Sequence, residues 1–164
     1  MRQTRLTAVT ATLLAGLSAA AQPLNPIRWA FVDAPPRKTL KPGVVFKVRV
    51  KADIDPGWHL YSLTPLEGGP IPTRIWLPEG QPFEPASAPQ APRPLIQQDS
   101  NFGMEVGYYE GSPVFTLPIK AASGAPAGKQ TLIVNARFQS CNDRLCLPPK
   151  RVELRMAVEV AGKP

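Results

Sequence analysis

Four stretches of the chain alternate apolar and polar residues with a period of two. Ile27, Trp29 and Phe31 alternate with Arg28 and Ala30, and Val44, Phe46, Val48 and Val50 with Val45, Lys47 and Arg49. Leu132, Val134, Ala136 and Phe138 stand opposite Ile133, Asn135 and Arg137, and Val152, Leu154, Met156, Val158 and Val160 opposite Glu153, Arg155 and Glu159. Such alternation puts one face on a core and the other in water, and it predicts β-strands. Shorter strands are predicted at 58–63, 74–77 and 114–119. Turn chemistry separates them at Lys41-Pro42-Gly43, Asp55-Pro56-Gly57 and residues 125–128. Seven or so short strands with no helix predict an all-β fold, an antiparallel β-sandwich of immunoglobulin-like architecture.

Composition sharpens this picture. The 164 residues include 21 prolines, which lock φ, lack an amide donor and disfavour a helical bundle. The 12 glycines follow no triplet period, which excludes collagen. Six of the prolines fall between Pro78 and Pro94, where an extended surface loop is expected.

The N-terminus has the features of a secretory signal peptide. Arg2 and Arg5 precede a mostly apolar stretch from Leu6 to Leu17, and Ala19-Ala20-Ala21 offers a cleavage site before Gln22. The stretch is too short and alanine-rich for a convincing membrane span. Residues 1–21 are thus expected to be removed, leaving residues 22–164 as one domain exported to an oxidising compartment. Removal of Arg2 and Arg5 lowers the formal charge from +7 to +5. The remaining charges are dispersed along the sequence as a solvated surface, without the basic cluster and interleaved aromatics of a nucleic-acid site.

Cys141 and Cys146 lie in Gln139-Ser140-Cys141-Asn142-Asp143-Arg144-Leu145-Cys146-Leu147-Pro148-Pro149. Asn142-Asp143 is turn material, so a hairpin placing the two sulfurs opposite each other is expected. In the chain-entropy model a six-residue ring contributes about 2.2 kcal/mol, against about 4 kcal/mol for a bridge closing some 45 residues. That small return weighs mildly toward a pair kept for reactivity, but spacing alone leaves chemistry and structural staple both open. Arg144 would lower a neighbouring thiol's pKa and Asp143 would raise it. A thioredoxin-type C-x-x-C is not present. Two cysteines with His59, the single histidine, fall short of a zinc set, and three scattered methionines do not make a copper site.

The cysteine segment resembles the N-terminal periplasmic domain of the disulfide-interchange protein DsbD. Two further segments agree in order and spacing. Pro56-Gly57-Trp58-His59-Leu60-Tyr61 is similar to that family's early strand. Asn101-Phe102-Gly103-Met104-Glu105-Val106, with the following Tyr109-Glu110-Gly111 and Phe115-Thr116-Leu117-Pro118, is similar to its cap loop and next strand. The resemblance runs from about Trp29 to Val160. It implies an immunoglobulin-like fold and a thiol-disulfide oxidoreductase without a cofactor, taking electrons from a membrane-embedded donor and passing them to periplasmic thiol proteins. It also implies that Cys146 forms the mixed disulfide, that Cys141 resolves it, and that Phe102 caps the bond. His59 and Tyr61 are implied neighbours of the site.

The chain departs from the family at several points. The family's acids immediately precede the phenylalanine, where this chain has Ser100 and Asn101, so Asp99 is the nearest acid. Some members hold five residues between the cysteines rather than four. The full-length relative continues into membrane and thioredoxin-like domains, so the electron donor is expected on a separate polypeptide. Strand parity adds an expectation of its own. Counted unbroken from Leu132, Cys141 shares a face with Ile133, Asn135 and Arg137, a mixed face suited to an accessible sulfur, whereas Cys146 has the parity of Val152 and Leu154. A bulge would reconcile the two. The rival reading is a secreted β-sandwich binding or assembly module in which Cys141–Cys146 is a structural disulfide.

Overall fold

The computed structural model describes residues 24–36 and 38–162; the predicted signal peptide lies outside the described residues. Eleven strands follow in order: β1 (Ile27–Phe31), β2 (Val45–Ile54), β3 (His59–Tyr61), β4 (Arg74–Trp76), β5 (Phe83–Pro85), β6 (Leu95–Asp99), β7 (Met104–Tyr109), β8 (Val114–Ala121), β9 (Gly128–Phe138), β10 (Ser140–Cys141) and β11 (Lys150–Val160). No helix occurs among the described residues.

The strands form three antiparallel sheets, ordered β1-β2-β8-β5, β11-β9-β4 and β10-β3-β7-β6. The first two pack face to face as an immunoglobulin-like sandwich. Val48, Val50 and Ala52 of β2 and Phe115, Leu117 and Ile119 of β8 meet Leu132, Val134, Ala136 and Phe138 of β9 and Met156 and Val158 of β11 in one buried core. Trp29 stacks on Phe115 with ring centroids 5.5 Å apart and lies 5.6 Å from Phe138, joining the two layers. The alternating residues Arg49, Arg137, Glu153 and Arg155 remain exposed, as period-two patterning requires.

Two expectations need correction. Val44 does not face the core; β2 begins one residue later, and both Val44 and Val45 are exposed. The stretch from Pro78 to Pro94 is also more than a loop. It contributes β5, whose Phe83 is buried opposite Ala121, and a further bridge between Gln90 and Thr116. Prolines are tolerated here because β5 is an edge strand.

The third sheet carries the cysteines. Its Leu60 and Tyr109, paired across β3 and β7, turn into the main core. Its other face presents Tyr61, Val106, Tyr108 and Cys141 to a second, smaller cluster completed by Leu66, Phe102, Met104 and Cys146. The Asp55-Pro56-Gly57-Trp58 turn delivers β3 to this position. Gly57 takes a φ of 79°, and the Trp58 N–H donates to the Asp55 carbonyl at 3.1 Å, as a type II turn with proline then glycine demands.

Candidate redox site

Cys141 and Cys146 form a disulfide across an antiparallel bridge, with Cα atoms 4.1 Å apart. The intervening turn is built by Asn142. Its Oδ1 accepts from the N–H groups of Arg144 and Leu145, both at 2.9 Å, while its own N–H donates to the Leu145 carbonyl at 3.0 Å. This is the side-chain turn mimicry for which asparagine is suited.

Parity holds through this segment without a bulge on the β9 side. Phe138 and Ser140 are buried on the core side, and Cys141 keeps the outward parity of Arg137. The bulge falls on the returning chain. The Leu147 N–H donates to the Ser140 carbonyl, and Lys150 pairs with Phe138, so Pro148 and Pro149 together oppose Gln139 alone. The expectation of an accessible Cys141 is overturned, since that sulfur's residue is 0% exposed. The outward face is mixed on β9, but β10 passes beneath the aromatic cluster of the third sheet. Cys146 is only half-buried.

The predicted neighbours assemble around this bond. His59 pairs with Cys141 across β3 and β10, and its ring lies edge-on to Tyr61 (5.0 Å) and Tyr108 (5.3 Å). The Tyr61 hydroxyl donates to Asp99 Oδ2 at 2.7 Å and stands 3.9 Å from Cys146 Sγ. Asp99 Oδ1 accepts the Asn101 N–H at 2.7 Å. The Phe102 ring is edge-on to Tyr61 at 5.9 Å and packs on the cluster containing Cys141. Gly103, at a φ of 65°, lets the β6–β7 tip close by donating its N–H to the Asp99 carbonyl at 2.8 Å.

Electrostatics follow from burial. His59 is buried, and its Nε2 has no hydrogen-bond partner, standing 3.7 Å from Asp99 Oδ2. Desolvation holds its pKa below the ordinary imidazole value against the opposing pull of Asp99, Asp143 and Glu110. Tyr61 is pushed far above the usual phenol range, first by burial and then by its bond to the Asp99 carboxylate.

Sequence reasoning missed three contributors. Tyr108 packs beside His59 and the disulfide cluster. Ser100 and Asn101 tie the β6–β7 tip to the cysteine hairpin. Asn101 Nδ2 donates to the Asn142 carbonyl at 3.1 Å and Ser100 Oγ to that of Asp143 at 3.5 Å. Their turn-forming character was the available signal. What the assembly offers chemically is a disulfide between a buried and a half-buried cysteine.

The N-terminal domain of DsbD from Neisseria meningitidis, in its reduced form, is similar at 16% identity and a TM-score of 0.48, over 68% of this chain and 77% of that one. The N-terminal periplasmic domain of ScsB from Proteus mirabilis is similar at 17% identity and a TM-score of 0.54, over 84% of this chain and 49% of that one, so the chain spans about half of that relative's length. No curated protein matches. The family model described as thiol:disulfide interchange protein DsbD, N-terminal, matches residues 33–157. Matched over most of its length, the chain belongs to the family of DsbD N-terminal domains, whose business is thiol-disulfide interchange.

Proposed function

We propose that the protein relays electron pairs from a membrane-embedded donor to thiol-disulfide proteins of the periplasm by cycling Cys141–Cys146 between disulfide and dithiol. Residues 1–21 act as a cleaved export signal, and residues 22–164 form the single working domain. In the reduced state the Cys146 thiolate attacks one sulfur of a partner disulfide and expels the other as a thiolate, which takes up a proton. Cys141, as thiolate, then attacks Cys146 Sγ and expels the second partner sulfur. The partner gains two electrons and two protons, and the domain is left oxidised for re-reduction by the donor. Phe102 acts as the cap that a docking partner displaces, while Tyr61, His59 and Asp99 shape the pocket.

The observation that supports this reading is the unequal burial of the two cysteines, with Cys141 buried and Cys146 half-buried. Two measurements test it. Equilibration with redox buffers should place the pair within the range of exchange proteins, about −120 to −270 mV, whereas a value below about −300 mV would make it a structural staple. Oxidised glutathione should form a mixed disulfide at Cys146 in Cys141→Ser and leave Cys141 unmodified in folded Cys146→Ser. The opposite reactivity would reverse the assigned roles.

A further inference from the structure

Basic residues that lie far apart in the sequence are gathered by the fold on the outer face of the β11-β9-β4 sheet. Arg74 pairs in register with Arg137, and Arg137 with Arg151, so three arginines form one row across three strands. All three are exposed, and none makes an ion pair among the described residues. Like charges facing each other across strands oppose sheet formation, and no acid in this row offsets them.

The next row is Trp76, Asn135 and Glu153. The Arg74 and Arg151 guanidinium carbons lie 5.3 and 5.1 Å from the centre of the Trp76 ring. Arg151 therefore reaches from β11 over β9 to an indole on β4, roofing Asn135 between them. Asn135 is wholly buried, yet neither its Oδ1 nor its Nδ2 has a hydrogen-bond partner. Glu153, the acid of that row, is engaged by Arg155.

We infer that this face docks an acidic segment of the thiol protein that exchanges with Cys146, an inference that rests on the function proposed above. Guanidinium forks match carboxylates in two-pronged hydrogen bonds. An incoming carboxylate that draws Arg151 off the indole uncovers the unpaired Asn135 amide as a further donor. The row also lies close to the redox hairpin along the chain. Arg137 precedes Cys141 by four residues and Arg151 follows Cys146 by five, spans of at most about 14 and 18 Å of extended chain. A single indole already held between two guanidiniums is a poor stacking platform for successive bases, which favours protein carboxylates over nucleic acid.

The test is binding of a fluorescent, thiol-free octaglutamate peptide to the intact oxidised protein at low ionic strength. Saturable binding is expected, weakened at least about tenfold in R74E/R137E/R151E but less than about threefold in K41E/K47E/K129E, which carries the same change in charge. If the first variant does not fold, R74Q/R137Q/R151Q carries the same expectation. Absence of saturable binding, equal loss in both sets, or tighter binding of oligothymidylate would overturn the inference. A cysteine-bearing acidic peptide should also exchange with the disulfide about tenfold faster than a neutral one, and equal rates would sever this face from the redox site. Reduction by uncharged dithiothreitol reads the exchange chemistry separately, so a failure there leaves a distinct signature from a failure of peptide binding.

Discussion

His59 stands directly opposite Cys141 across the β3–β10 ladder, and it is the only histidine in the chain. An imidazole with an unpartnered, buried Nε2 beside the buried Cys141 has one strong physical consequence, a bias toward the neutral form.

That bias predicts a particular acid sensitivity. A depressed folded pKa means that the unfolded chain binds the proton first as pH falls through the ordinary imidazole value of 6.5. Below that point the unfolded state holds more protons, so stability declines on acidification until the folded pKa is reached. The slope cannot exceed about 1.4 kcal/mol per pH unit for one group. Urea midpoints between pH 7.5 and 5 should fall in the native protein and stay flatter in His59→Gln. Parallel curves would remove His59 from the account.

The three tyrosines make the alkaline counterpart. Tyr61, Tyr108 and Tyr109 are all pushed above the ordinary phenol value by burial. Each keeps its proton in the folded state when the unfolded chain has lost it, so their contribution is complete below about pH 10 and is lost as pH rises beyond it. A phenolate absorbance titration should therefore show no ionisation in the native protein up to about pH 10, and Tyr61 should ionise only on unfolding. Early ionisation of Tyr61 would mean that its bond to Asp99 is not formed.

Phe102 and its anchor give a kinetic prediction. Phe102→Ala should raise the rate of disulfide reduction by dithiothreitol about tenfold, equivalent to about 1.4 kcal/mol of barrier. Asn101→Ala removes the bond to the Asn142 carbonyl and should move the rate in the same direction by a smaller factor. Unchanged rates in stopped-flow reduction of both variants would mean that the β6–β7 tip does not guard the bond.

Packing and surface charge should differ sharply in their effects on stability. Phe138 is buried between the two layers against Trp29, so Phe138→Ala should cost about 3–5 kcal/mol in urea unfolding. Asp33 pairs with Arg49 on the surface, and Asp33→Ala should cost less than about 1 kcal/mol.

The long strands were legible because each has one face dry and one wet. β1, β2, β9 and β11 could be read from alternation alone. β6 could not, since four of its five residues are exposed on both faces and only Asp99 is buried. β5 hid among prolines that edge strands accept. Cys141 followed its strand parity faithfully, but its burial depends on the third sheet folding over it, which no local pattern records. The arginine row was invisible for the same reason, because pairing of β4 with β9 joins positions 74 and 137.

The pair of prolines opposite Gln139 acts as a counting device. Were the β9–β11 register to continue unshifted from the Lys150–Phe138 pair, Leu147 would face Cys141, and Cys146 would point to the opposite side of the ribbon. The surplus residue at 148–149 is what brings Cys146 back to the side of Cys141, and loss of one proline would leave 147 opposite 140 and the two sulfurs still opposed in an unbroken ladder. Deletion of one of these prolines should therefore yield a folded sandwich whose cysteines still pair, the bulge absorbing a surplus residue of the returning chain.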